Sequence, residues 1–257
     1  MKKIIFISII LLMYTKVYIK AQETITISGQ VTDFEGMPKD SSVVRLLYPD
    51  FSNAYITYTD EDGYYKLENV EKGKYMAMYA MRKKEYPREN AVPKDDMRLE
   101  FWAWNVIANK DLVINPRYHR LEVYGTTVFQ NFGGYPGFFI YFRPMSITKY
   151  LSYSQEIYLD KKKAEQVADI SVKPENLAIK VFADNELLKI NSIQPIEEFL
   201  GGMPITGYIV QVDKPKNKPA KPYIVFRIEA ENKEYKEKGE SLYFYEFPEF
   251  KQPINKQ

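Results

Sequence analysis

Ile27-Ser28-Gly29-Gln30-Val31-Thr32-Asp33-Phe34-Glu35-Gly36-Met37-Pro38 reads as a strand running into a tight reversal. Apolar residues alternate with small or polar ones up to Val31, the period of a half-buried strand. Asp33 and Gly36 supply turn chemistry, and Pro38 cannot donate to a central ladder. The pattern recurs downstream. Ser42–Leu47 and Ala54–Thr59 are β-branched and apolar, and Asp60-Glu61-Asp62-Gly63 links Ala54–Thr59 to Tyr64–Leu67. Tyr75–Met81 follows. Short strands with turn residues between them, about ten residues apart, predict a β-sandwich.

These residues also carry a resemblance. Ile27-x-Gly29-x-Val31-x-Asp33-x-x-Gly36-x-Pro38 is followed by Val43-Val44-Arg45. Then comes Tyr58-Thr59-Asp60-x-x-Gly63-x-Tyr65-x-Leu67-x-x-Val70-x-x-Gly73-x-Tyr75. Residues 24–85 resemble the carboxypeptidase regulatory-like domain, a transthyretin-like β-sandwich. The resemblance implies an extracytoplasmic envelope protein. It implies no peptidase activity, because that domain is an accessory to the enzyme it is named after. With His119 the only histidine and no cysteine in the chain, a two-histidine zinc site is impossible.

The start of the chain reads as an address. Lys2 and Lys3 precede the apolar run Ile4–Tyr14, broken only by Ser8, and Ala21 ends the expected cleavage segment Ile19-Lys20-Ala21. Residues 1–21 are therefore expected to be a secretory signal peptide, too short in its apolar part to span a bilayer of ~30 Å. Removing them takes away Lys2, Lys3, Lys16 and Lys20 and leaves 32 basic against 34 acidic groups. That balance offers no electrostatic footprint for nucleic acid. No later segment is apolar enough for a transmembrane helix in the mature chain.

Lys83–Arg98 breaks the strand pattern with Pro87, Pro93 and dense charge. It predicts a linker at 86–98 between two sandwiches. The second, at 99–257, is expected to be immunoglobulin-like or jelly-roll-like, with strands at Leu99–Val106, Arg120–Phe129, Phe138–Phe142, Ala178–Phe182, Gly207–Val212, Tyr223–Glu229 and Ser241–Tyr245. Short helices are expected at Ser146–Ser152 and Lys161–Val167. The fold class is all-β.

Candidate chemistry is sparse. Asp60 and Asp62 do not complete a calcium loop, since Tyr58 and Asn69 stand where carboxylates are needed. His119 lies between Arg117 and Arg120, which disfavour its charged form, and no nucleophile motif accompanies it. Glu197-Glu198 and Asp95-Asp96 are neighbours in sequence, and strand neighbours point to opposite faces. No cofactor or metal is expected.

Phe101-Trp102-Ala103-Trp104 places two indoles on one strand face. Exposed, Trp102 and Trp104 would form a platform for a sugar ring or a partner; buried, they are core. The Gly-rich loop Asn131–Phe139, with Tyr135 and Phe138, either closes over a ligand or packs as a hairpin. Lys214–Pro222 is basic and stiff and reads as a protruding loop.

The expected function is an exported, non-enzymatic binding or scaffold protein whose partner is an envelope protein or glycan. The alternatives are a carbohydrate-binding protein using Trp102, Trp104, Tyr135 and Phe138, and a hydrolase with a carboxylate pair. A scaffold predicts an open sheet edge or an apolar patch, and a hydrolase predicts two carboxylates in one pocket.

Overall fold

The computed structural model describes residues 23–200, 203–217 and 219–248. The expected signal peptide lies outside them. The chain is all-β, with its strands in two packed sandwiches that share one sheet. Strands β1 (Thr24–Gln30), β2 (Val43–Leu47), β3 (Asn53–Tyr58), β4 (Tyr64–Glu71) and β5 (Gly73–Met81) come first. They are followed by β6 (Phe101–Ala108), β7 (Leu112–Val113), β8 (Leu121–Phe129) and β9 (Phe138–Ser146). Helices α1 (Ile147–Ser152), α2 (Gln155–Leu159) and α3 (Lys161–Val167) intervene. Then come β10 (Leu177–Ala183), β11 (Glu186–Leu187), β12 (Ile190–Leu200), β13 (Met203–Val212), β14 (Tyr223–Asn232) and β15 (Glu237–Glu246).

The backplane is an eight-stranded sheet in the order β11-β10-β14-β15-β6-β5-β2-β3. Its joint is a parallel pairing of β15 with β6, Ser241 opposite Trp102 and Tyr243 opposite Trp104. Alternation decides which side each residue serves. On one face, here the front, Phe101, Ala103, Tyr223 and Phe244 join the core built with Ile27, Leu67 and Val70 of the three-stranded sheet β4-β1-β7. On the back, Phe226, Ile228 and Tyr245 join Val123, Ile140, Phe142 and Val210 of the four-stranded sheet β12-β13-β9-β8. The two small sheets thus cover opposite faces at opposite ends of the backplane.

The turns form as their residues dictate. Asp33 and Asp60 cap the first two reversals, Asp33 Oδ1 accepting from Met37 N and Asp60 Oδ1 from Tyr64 N, each at 2.8 Å. Gly36 and Gly63 take φ of 85° and 77°, a region that favours glycine. The Asp60 carboxylate is therefore occupied by its own turn. The helices at 147–152 and 161–167 start on side-chain caps, Ser146 Oγ accepting from Lys149 N and Asp160 Oδ1 from Lys163 N.

The boundary expected at 86–98 is not a break in the sheet. Residues 83–96 carry three 3-10 turns. Beyond them β6 returns to pair antiparallel with β5, and β7 pairs parallel with β1. The first sandwich therefore includes strands on both sides of that segment. A charged, proline-bearing stretch reads as a linker in sequence, but here it is a loop between two paired strands. The chain also forms β12, which is not among the strands expected from the pattern. Its Asn191, Ser192, Gln194, Pro195 and Glu197 suit an exposed edge and mask the period.

Candidate functional site

The joint places β8 across the back of β6, and the same alternation that fills the two cores loads this crossing. Leu121 and Val123 point into the second core. Glu122 and Tyr124, one step out of phase, point toward β6. Phe101 and Ala103 point into the first core, and Glu100, Trp102 and Trp104 point back toward β8. Two glutamates and a tyrosine cluster are thereby brought to one place.

Trp102 is buried, and its indole N–H donates to Glu122 Oε1 at 2.9 Å. Trp104 is half-buried and stacks on Trp102 at 4.9 Å and 13°. Tyr124 stands edge-on to both rings, and Arg143 lies over Tyr124 at 5.1 Å. The indoles share one face, as expected, but the face turns inward against β8, so no exposed platform forms. Stacking the two indoles against each other and against Tyr124 at the joint outweighs presenting their faces to water.

Beside this cluster lies a cleft of about 590 Å³ whose lining includes Tyr86, Arg88, Glu100, Glu122, Tyr150 and Tyr158. Its walls come from the 3-10 turn at Pro87–Glu89, the Leu99-Glu100 step leading into β6, β8, the end of β9 and the helices. Tyr150 and Tyr158 stack at 4.5 Å. Tyr86 Oη donates to Glu100 Oε1 at 3.4 Å, a long contact. Glu100 Oε2 is shut off from solvent and has no hydrogen-bond partner among the described residues.

Burial sets the protonation of both acids. It pushes Glu100 up to about 7. Burial, with the adjacent charge of Glu100, holds Glu122 well above the usual carboxylate range. A carboxyl removed from water keeps its proton unless a cation or donors replace the solvent. Burial likewise raises Tyr86.

The other expected sites disperse. Phe138 packs in the second core against Phe226 and Tyr245. Tyr135 stands at the far end of that sandwich, donating to Asp213 and accepting from Asn191 Nδ2 at 2.7 Å. Trp102, Trp104, Tyr135 and Phe138 therefore do not form one ligand site. His119 Nδ1 accepts from Lys238 N at 3.3 Å, and burial together with Arg98 lowers it to about 4, so it is neutral. Glu198 serves Tyr141, at 2.6 Å, while Glu197, Asp95 and Asp96 are exposed. The acids that converge are Glu100 and Glu122, which are not neighbours in sequence. The signal was a charge on an apolar strand, in Leu99-Glu100-Phe101-Trp102 and Leu121-Glu122-Val123-Tyr124.

No family profile matches this chain, and no curated protein matches it. Among solved structures, BcpA, the major pilin subunit of Bacillus cereus, is 12% identical over 87% of this chain and 69% of its own, with a TM-score of 0.26. The full-length major pilin SpaD of Corynebacterium diphtheriae is 8% identical over 86% of this chain and 64% of its own, with a TM-score of 0.23. A likeness at this level fixes neither strand order nor function. No helix among the described residues is long and apolar enough to cross a membrane.

Proposed function

We propose that the protein is an exported, non-enzymatic scaffold of the cell envelope that holds an extended segment of a partner protein along β3. One observation carries this reading. β3 is the last strand of the eight-stranded sheet, and its sequence Asn53-Ala54-Tyr55-Ile56-Thr57-Tyr58 contains no charge and no proline. Ile56 is 46% exposed and Tyr58 63% exposed. An edge of this kind offers unpaired N–H and C=O groups, and strand addition is the interaction it favours. β12, the free edge of the four-stranded sheet, carries Pro195, Glu197 and Glu198, which discourage such pairing.

Export rests on the basic and apolar segment at 1–21, and the carboxypeptidase regulatory-like reading of 24–85 agrees with an envelope location. Sugar recognition by a tryptophan platform is not part of this reading, because Trp102 is buried. The test is site-specific photocrosslinking in the native envelope, with the reactive residue at position 56 and, for comparison, at position 193 in β12. An adduct of one defined mass at 56, absent at 193 and lost when Thr57→Lys charges the edge, is the expected result. Equal labelling at both positions, or glycan adducts alone, would overturn it.

A further inference from the structure

We propose that the cleft beside Glu100 binds a small zwitterion: its ammonium group lies among Tyr86, Tyr124, the carboxylate of Glu100 and the neutral carboxyl of Glu122, and its phosphate or carboxylate meets Arg88 and Lys161 at the rim. This goes beyond the scaffold reading and does not depend on it, since β3 lies at the end of the sheet and the cleft at the joint.

Three features point to this ligand. The first is a donor deficit. Glu100 Oε2 is closed off from solvent and unpartnered, and an acceptor left without a donor in a low-dielectric place is costly. An N–H donor arriving from the cleft removes that cost. Glu122 supplies a second carboxyl, with its Oε1 already held by Trp102. The second feature is the wall. Tyr86, Tyr124, Tyr150 and Tyr158 line the cleft, and aromatic faces attract cations. Two of them already do so within the protein, Arg88 lying over Tyr86 at 6.0 Å and Arg143 over Tyr124 at 5.1 Å.

The third is the rim. Arg88 and Lys161 also line the cleft, and both are exposed. A plain cation would approach them at an electrostatic disadvantage. A molecule with an ammonium at one end and an anion at the other meets complementary charge at both ends. A volume of about 590 Å³ accommodates such a molecule and is far from a polymer groove.

Binding should be linked to pH. Glu100 faces Tyr86 and Arg88 from the 3-10 turns, Glu122 and Tyr124 from β8, and Tyr79 from β5. Arg143 of β9 stands behind Tyr124, and Tyr150, Tyr158 and Lys161 lie across the cleft. An ammonium group is held best by ionised Glu100, so affinity rises with pH through about 7.

The probe is O-phosphoethanolamine, titrated calorimetrically into the protein at pH 6 and pH 8. 4-Aminobutyrate, ethanolamine, inorganic phosphate and methyl glucoside serve as comparison ligands. The proposal expects saturable binding of a zwitterion, about tenfold tighter at pH 8 than at pH 6, as one linked carboxyl requires. Ethanolamine and phosphate alone should each bind at least tenfold more weakly. Whichever of phosphoethanolamine and 4-aminobutyrate binds tighter identifies the anionic group. Glu100→Gln should lose the pH dependence along with at least tenfold in affinity at pH 8. Arg88→Ala, on the exposed rim, should weaken the zwitterion without changing ethanolamine. Absence of zwitterion binding, preference for methyl glucoside, or Glu100-dependent hydrolysis of an aryl glycoside would each overturn the proposal.

Discussion

The two faces of the joint hold glutamates drawn away from water, in opposite circumstances. On the front, Glu240 of β15 is 2% exposed and accepts from Arg117 N at 3.1 Å and Arg117 Nε at 3.0 Å, with a further ion pair to the same guanidinium. Arg117 also meets Glu229 at 2.6 Å and lies over Phe34 at 4.8 Å. On the back, Glu100 has one oxygen unpartnered, and Glu122 is bonded to a neutral indole. Burial raises the acids on both faces, but the front group has a guanidinium opposing that shift. A buried carboxylate that is fully paired clamps two elements together. One that is left short of a donor costs stability, and a ligand can recover what it costs.

The largest expected effect breaks the front clamp. Arg117→Met leaves Glu240 buried without its hydrogen-bonded cation, and a loss of about 3–5 kcal/mol is expected in urea denaturation at pH 7. A loss below about 1 kcal/mol would mean that Glu240 is not held by charge, and the contrast between the faces would fail. The back should respond in the opposite sense. Glu100 titrates near 7 in the folded chain against 4.5 for an ordinary carboxyl. The folded state therefore holds the proton more tightly, and the contribution of Glu100 to stability is present below about pH 4.5 and lost as pH rises through 7. Glu100→Gln, neutral at every pH, should gain about 2–3 kcal/mol at pH 8 and almost nothing at pH 4.5. A stabilisation equal at both pH values would show that packing, not ionisation, is responsible.

Unequal legibility has the same physical origin. The first sandwich is built from local events. Asp33, Gly36, Asp60 and Gly63 each act within a few residues, and the strands they link show a clean period of two, so its strands and turns could be read directly. The joint is not local. Trp102 pairs in parallel register with Ser241, far along the chain, and bonds Glu122 across two strands that are not paired, and no period announces either contact. The charge and prolines of 86–98 describe an exposed loop correctly, but a loop between paired strands and a linker between domains have the same composition. The site failed to appear for a related reason. Glu100 and Glu122 are ordinary glutamates until two strands cross, and only their places on apolar strands hinted at burial.

Close approach of β8 to β15 makes the contrast between faces possible, and a smaller effect tests it. A Cβ on Gly239 would stand 2.1 Å from Leu121 O, backbone that cannot yield without moving β8. Gly239→Ala should cost about 1–3 kcal/mol, through displacement of the strand that carries Glu122 and Tyr124. If the cost arises there, the variant should also change the near-ultraviolet circular dichroism of the aromatic cluster, whereas Arg117→Met should leave that signal nearer to wild type. Equal spectral change in both variants would mean that the two faces are mechanically one unit.

The smallest effect reports on the acids directly. Trp102 and Trp104 are the only tryptophans in the chain, and both stand against the back face. Trp102 is 7% exposed and Trp104 Nε1 is shut off from solvent, so iodide should quench the folded protein only weakly compared with the urea-unfolded chain. Strong quenching would place the indoles at the surface and restore the platform that their inward face argues against. Ionisation of Glu100, which immediately precedes β6 in phase with the two indoles, should shift their emission by a few nanometres, with a midpoint near pH 7. Glu100→Gln should remove that inflection, and Arg117→Met should not, because Arg117 acts on the front. An inflection that survives in Glu100→Gln would assign the titration to another group and separate the back-face acids from the pH dependence expected of the cleft.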